Sequence, residues 1–264
     1  MPSLTKYYLG FRLALTNELM HRTNFLFGVL RRVVFSVTLV YVFERILRGI
    51  GAFSSAKLID YVLVSYFISS IIHAYGMRGI SEEITTGDLS NYFVKPLKFL
   101  PYWAARMVAT RGLLAVAGCV GVVVLALVTR TSTAAFFHVA HPVQTALLVV
   151  NAVIMIQLID FLGGLTAFWT DDEHGVQWLI TTLILFLSGA LIPNNVLPQA
   201  VQNLLNLTPF PLIVYAPTQM WLGNFDAAAF QHAFVTQLVW IVVAACAVCV
   251  VWSRGKKMYE AYGR

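Results

Sequence analysis

The stretch SEEITTGDLS, residues 81–90, begins the densest polar segment in a chain that is otherwise almost entirely apolar. Ser81 is placed to cap a short helix, with Glu82 and Glu83 at the positively polarised N-terminus of that helix. Gly87 suits the left-handed backbone conformation that closes a helix, and Asp88 can then cap a second one. The segment therefore predicts a helix broken at Gly87, lying between two long hydrophobic runs.

The stretch NYFVKPLK, residues 91–98, continues this segment as the second short helix. Leu89, Tyr92 and Phe93 fall on one face of that helix, at the spacing i, i+3, i+4. Pro96 ends it, because a proline disfavours helical geometry in the residue before it. A short helix that offers apolar side chains outside the membrane favours docking against a partner, although a surface loop lying on its own protein has the same pattern.

The composition is that of a polytopic helical membrane protein. The 264 residues are 59% hydrophobic and 11% charged, with a mean hydropathy of +0.75, whereas a soluble domain has about 25% charged residues. Apolar runs of membrane-spanning length recur along the chain. We therefore predict an all-α fold with a single transmembrane domain over residues 1–264 and six spans, near 25–46, 58–80, 103–128, 143–169, 176–192 and 234–252.

Two further segments are amphipathic but do not have the pattern of a span. Residues 3–22 predict an interfacial helix with the apolar stripe Leu4, Tyr7, Tyr8, Phe11, Leu15 and Leu19. A soluble helix docked on the protein's own cytoplasmic face is the alternative. Residues 193–230 contain five prolines and short apolar stripes, which predict re-entrant or interfacial helices on the extracytoplasmic side.

The distribution of positive charge predicts the orientation in the membrane. Five Lys and Arg residues lie in the N-terminal segment, five in the 81–98 loop and its flanks and four at the C-terminus, against four on the opposite side. By the positive-inside rule, both termini and the 81–98 loop are cytoplasmic. The cations lie at the ends of apolar runs rather than in a stripe with aromatic residues, so we expect membrane lipid and not nucleic acid as a partner.

Motifs for chemistry are absent from the sequence. It contains no phosphate-binding loop, no zinc-protease motif and no nucleophile elbow, and we predict no catalytic, cofactor-binding or metal-binding residue. Asp160 is a carboxylate inside a span and is thus a functional candidate. Gln157 at i−3 is a possible hydrogen-bond partner. A structural contact between helices and a place in a substrate path are equally compatible with the two residues.

Five segments together resemble the permease subunits of type 2 ATP-binding-cassette exporters, in the bacterial branch with six spans. They are the N-terminal helix, RTNFLFGVL (22–30), EEITTGDLSNYFVKPL (82–97), AFWTDDEHG (167–175) and LSGALIPNNVLPQAVQNLLNLTPF (187–210). The resemblance implies a separate ATPase subunit that uses ATP, present in two copies, and a second permease chain. It also implies a location in the bacterial inner membrane, export as the direction, and a coupling helix in the 81–98 loop.

Within that resemblance, the ATPase-coupling residues are Glu82, Glu83, Gly87, Asp88, Leu89, Tyr92 and Phe93. Glu82 and Glu83 are expected to pair with basic residues of the ATPase, and the apolar face of the second helix is expected to contact it. The alternative reading is a self-contained secondary transporter or intramembrane enzyme that uses Asp160 and His73. Such transporters usually contain internal repeats with helices broken near the midplane. We detect no repeat, so the permease reading is favoured.

Overall fold

The structure is a computed structural model that describes residues 3–20, 22–50, 55–72, 76–94, 98–130, 134–170 and 173–259. The described residues form helices and turns without a strand, as the composition predicts. The helices are α1 (Ser3–Met20), α2 (Arg22–Ile50), α3 (Ser55–Ile72), α4 (Gly76–Thr85), α5 (Ser90–Val94), α6 (Phe99–Thr129), α7 (Ala134–Phe137), α8 (Pro142–Leu165), α9 (Glu173–Leu187), α10 (Gln199–Leu205), α11 (Tyr215–Trp221) and α12 (Ala227–Met258). Short 3₁₀ turns lie at Thr166–Phe168, Asn194–Val196 and Phe210–Leu212.

Four stretches of the described chain are long and apolar enough to cross a membrane: Lys57–Thr85, Phe99–Val128, Pro142–Phe168 and Ala227–Met258. They correspond to the predicted second, third, fourth and sixth spans. The predicted first and fifth spans correspond to α2 and α9, which are not among the four. With 15 residues, α9 is about 22 Å long against a hydrocarbon core of about 30 Å. The structure therefore supports four membrane spans, and a total of six spans remains a prediction.

The helix bundle has two ends, which we name after short helices. At the α5 end lie the α4–α5 turn, the start of α6 and the last turns of α8 and α12, where Phe99 stacks on Trp252 with ring centroids 5.3 Å apart. At the α11 end lie the starts of α3, α8 and α12, together with α11. There the Gln237 amide donates to the carbonyls of Leu148 and Leu212, at 3.1 and 2.9 Å.

The core of the bundle lies along α8, which packs against α12, α4 and α11. Leu148, Ala152, Met155 and Ile156 are almost fully buried at helical spacing. Beside α8, α3 and α6 approach closely because two glycines of α6 leave room. A Cβ at Gly118 or Gly121 would overlap Ser70 or Tyr66 of α3.

The N-terminal helix α1 is confirmed as a helix, and it packs along α6. Gly10 lies against the Tyr102 ring, and the Thr110 hydroxyl donates to the Glu18 carboxylate at 3.4 Å. The predicted apolar stripe is divided: Tyr7, Phe11 and Leu15 are partly buried, while Tyr8 and Leu19 are exposed. The interfacial position of this helix remains a prediction, as does the re-entrant character of residues 193–230.

Candidate functional site

The first half of the 81–98 loop is a continuation of α4 and not a new helix. Because α4 begins at Gly76, Ser81 lies inside it and does not cap it, so the predicted cap is wrong. The Ser81 hydroxyl instead donates to the carbonyls of Met77 and Gly164, at 3.2 and 3.3 Å. Glu82 and Glu83 consequently lie near the C-terminus of α4 and not at its N-terminus.

The predicted break at Gly87 is confirmed. Gly87 has φ of +85°, a left-handed conformation that glycine adopts without a steric cost. The Asp88 carboxylate accepts hydrogen bonds from the side chains of Thr86 and Asn91, at 3.1 and 3.3 Å. Among the described hydrogen bonds, the Asp88 carboxylate therefore binds side chains of the turn and does not accept from a backbone amide of α5. The predicted cap of α5 by Asp88 is not formed in this way.

Pro96 and His73 lie outside the described residues, as do Asp171 and Asp172.

The predicted contact face of α5 points into the protein. Leu89 is fully buried, at 0% exposure, and the Tyr92 ring lies edge-on to Phe99 with centroids 5.1 Å apart. Burial raises the pKa of Tyr92 well above its ordinary value, and the hydrogen bond and charge of Glu83 raise it further. Tyr92 is therefore a neutral packing residue, and the apolar face covers its own protein because the start of α6 lies beneath it. The side chain of Phe93 lies outside the described part of the chain.

Glu83 is paired with residues of its own chain, where we had expected it to pair with basic residues of the ATPase. Its carboxylate accepts from the Trp103 indole at 2.9 Å and from the Arg106 guanidinium at 3.0 Å. The Arg106 guanidinium in turn lies 4.1 Å from the centroid of the Trp103 ring. Glu83 thus holds α4 on α6, whereas Glu82 and Asp88 of this loop are exposed.

Glycines let α4 approach its two neighbouring helices closely. A Cβ at Gly79 would overlap the Trp103 ring of α6, and a Cβ at Gly164 of α8 would lie 2.6 Å from the Ile80 side chain. Such approaches are tighter than side chains allow. The α4 helix is therefore wedged between α6 and α8.

The end of α12 holds the loop from a third side. The Tyr259 hydroxyl donates to the Gly87 carbonyl at 2.8 Å, which attaches the residue after α12 to the turn between α4 and α5. Burial raises the pKa of Tyr259, so this hydroxyl stays protonated as a donor. Residues 76–94, which comprise α4, the turn at Gly87 and α5 and which we call the α4–α5 loop, are consequently in contact with α6, α8 and α12 together.

A second polar cluster lies within the bundle and joins α6 to α8. Arg111 of α6 is 4% exposed, and Asp160 of α8 is 6% exposed. The guanidinium lies 3.6 Å from the Asp160 carboxylate, donates to Gln157 and donates to the Ile72 carbonyl at the end of α3 at 3.4 Å. The Gln157 amide also contacts the Met107 sulfur. Gln157 therefore accepts a hydrogen bond from Arg111, whereas we had considered Asp160 as its partner.

Arg111 is not among the predicted site residues, because in the sequence it is one of the five positive charges in and beside the 81–98 loop. Its position gives the signal that could have identified it: Arg111 is the thirteenth residue of α6 (Phe99–Thr129), too far along a span to reach the interface easily. A buried cation of this kind requires a buried carboxylate nearby, and Asp160 was the available one. Without Arg111, the charge asymmetry is thirteen to four and predicts the same orientation.

The long apolar helices define the class first, since this is a multi-pass integral membrane protein. Residues 29–263 match the model of the ABC-2 family transporter proteins, and the chain belongs to that family. It is therefore a membrane permease of an ABC transporter that works with an ABC ATPase subunit. No curated protein matches the chain.

Proposed function

We propose that the chain forms half of the translocation pathway of an ATP-driven exporter and that the α4–α5 loop couples it to the ATPase. The observation that carries the proposal is the simultaneous attachment of this loop to α6, α8 and α12, through Glu83, Gly164 and Tyr259. A push on such an element moves three helices together. ATP is bound and hydrolysed by the partner, and the chain supplies no catalytic group.

The docking surface is the polar outer face of the loop. Glu82, Thr86, Asp88 and Asn91 are exposed there, while Leu89 and Tyr92 support the face from below. Two carboxylates among four exposed polar side chains match a partner surface with basic and hydrogen-bonding groups, and opposite charges also speed association. Gly87 sets the direction of α5 relative to this face.

The complex that we propose contains two permease chains, identical or sibling, and two ATPase chains. Large apolar side chains remain exposed on α6 and α12, among them Val116, Val120, Leu127, Val239 and Val242. Lipid tails or a second permease must cover them, because contiguous exposed apolar surface marks a membrane or protein contact. With the α5 end and both termini in the cytoplasm of a bacterial cell, the α11 end faces outward.

Asp160 and Gln157 have a structural role in this proposal. Their partners are Arg111 and, through it, the end of α3, so the cluster holds α6, α8 and α3 in one arrangement. Of the two interpretations of Asp160 and Gln157, we therefore favour a structural contact between helices over a place in the substrate path. Helices held in this way can transmit movement from the α5 end.

The experiment is capture of the ATPase by permease variants that add one positive charge. We expect Thr86→Lys to weaken co-purification with the ATPase about tenfold, the equivalent of about 1.4 kcal/mol, and to reduce transport in parallel. Gln199→Lys is the matched control, since Gln199 is an exposed amide on α10, in the segment between α9 and α11. If both variants capture the ATPase like the unmodified chain and export normally, the loop is not the coupling element.

A further inference from the structure

A large cavity opens at the α11 end, where the proposed coupling has no part. Its volume is about 540 Å³, within the range of small-molecule sites. The start of α3, the loop after α9, the helix α11 and the turn after α11 line it. Ten residues of one chain line it.

One wall of the cavity consists of three aromatic rings. The Tyr61 and Tyr215 ring centroids lie 6.5 Å apart, and those of Tyr215 and Phe225 lie 6.2 Å apart. The Tyr61 hydroxyl donates to the Gly189 carbonyl at 2.6 Å, and the Tyr215 backbone amide donates to the Ser188 carbonyl at 2.9 Å. These bonds hold the rings in place, so the wall exists before any ligand arrives.

Amide side chains form a second, equally ordered part of the lining. Gln219 is 4% exposed and accepts a hydrogen bond from the Asn224 side chain at 2.6 Å. Gly223, with φ of +75°, turns the chain after α11 so that Asn224 and Phe225 face the cavity. Asn195 contributes a third amide from the loop after α9.

Two opposite charges complete the cavity. Lys57 and Asp60 lie one turn apart on α3, and both line it. Among the described residues, ion pairs join Glu83 to Arg106 and Asp160 to Arg111. These ion pairs do not include one between Lys57 and Asp60. The cavity thus presents one cationic and one anionic group to whatever enters it.

We propose that this cavity binds a zwitterionic ligand that carries an organic ammonium group and a phosphate. Asp60 and the aromatic wall receive the ammonium, because carboxylates and ring faces both attract cations. Lys57 receives the phosphate, and the amides orient the polar groups between the two charges. A simple anion or cation would leave one of the two charges without a partner, and a neutral sugar would use neither.

Two sources supply this chemistry: a soluble phosphoethanolamine-like molecule and the headgroup of a zwitterionic phospholipid. One experiment distinguishes them, using the full chain in nanodiscs of phosphatidylglycerol. Phosphoethanolamine is titrated calorimetrically, with ethanolamine, inorganic phosphate and glucose as comparison probes. In a second arm, phosphatidylethanolamine retained by the purified chain is counted by native mass spectrometry against phosphatidylglycerol.

We expect phosphoethanolamine, or the retained phosphatidylethanolamine, to bind at least about tenfold more tightly than the comparison molecules. Asp60→Asn and Lys57→Gln should each weaken that binding by about fivefold to tenfold. Asp226→Asn is the control, because it makes the same chemical change at the same end of the bundle. An asparagine at this position can still cap α12, so the helix should be unaffected. Lys57 is exposed, so Lys57→Gln decides the matter even if Asp60→Asn does not fold.

Absence of binding by both zwitterions would overturn the proposal. Equal binding of glucose and phosphoethanolamine, unchanged by Lys57→Gln, would also overturn it and would identify a site for neutral polar molecules. ATPase capture is measured on the same variants and is expected to be unchanged. A failure here is therefore distinguishable from a failure of the coupling proposal.

Discussion

The two ends of the bundle use their charged side chains in opposite ways. At the α5 end, Glu83 is paired with Arg106 inside the chain, and its partners lie on neighbouring helices. At the α11 end, Lys57 and Asp60 share a cavity and are not paired with each other. Paired charges lock helices together, whereas charges that share an open cavity remain available to a ligand. This contrast agrees with our proposals that the α5 end transmits movement and that the α11 end binds a ligand.

The largest expected effect concerns which end faces the cytoplasm, and it is all or none. In a chain whose native Cys119, Cys246 and Cys249 are replaced, Asn91→Cys should react with a membrane-impermeant thiol reagent only from the cytoplasm. Asn203→Cys, on α10, should react only from outside. Both residues are exposed, so accessibility is matched. Labelling of Asn91→Cys from outside would reverse the assignment of the two ends.

The next largest effect lies between the ends, in the Arg111–Asp160 pair. Removing one partner leaves a buried charge without compensation, so Asp160→Ala should lower the free energy of unfolding by about 3–5 kcal/mol. The double variant Arg111→Met, Asp160→Leu should lie much closer to the unmodified protein, because it buries no charge. Unfolding in mixed micelles, followed by tryptophan fluorescence, measures both. Equal losses in the single and double variants would contradict the ion-pair explanation.

The smallest of the three effects tests the close packing at the α5 end. Gly79→Val places a side chain against the Trp103 ring and should cost about 1–3 kcal/mol through overpacking. Gly112→Val in α6 is the control, because a Cβ there meets nothing within 4 Å. The same unfolding measurement compares them. If the two substitutions have the same effect, α4 is not wedged between its neighbours, and the contrast between the two ends weakens.

Much of the fold was predictable because hydrophobic runs and glycine have local physical causes. The all-helical membrane class follows from composition, and the turn at Gly87 follows from its freedom to adopt positive φ. Asp160 was identified because a carboxylate is costly inside an apolar run. We predicted that Leu89 and Tyr92 contact the ATPase, whereas both pack within their own chain. An apolar helix face indicates that another element covers it, but it does not identify that element.

The sequence by itself determined the membrane class, the helix break at Gly87 and the presence of a buried carboxylate at Asp160, because each depends on residues close together in the chain. The tertiary structure alone decided the partners. Glu83 meets Arg106 and Trp103, Asp160 meets Arg111, and Tyr259 reaches Gly87 across 172 residues. Lys57 and Asp60 are brought to the same cavity as Tyr215 and Phe225 in the same way. Pairing between distant segments depends on how helices pack, and helical periodicity in one segment carries no information about the neighbour it will meet.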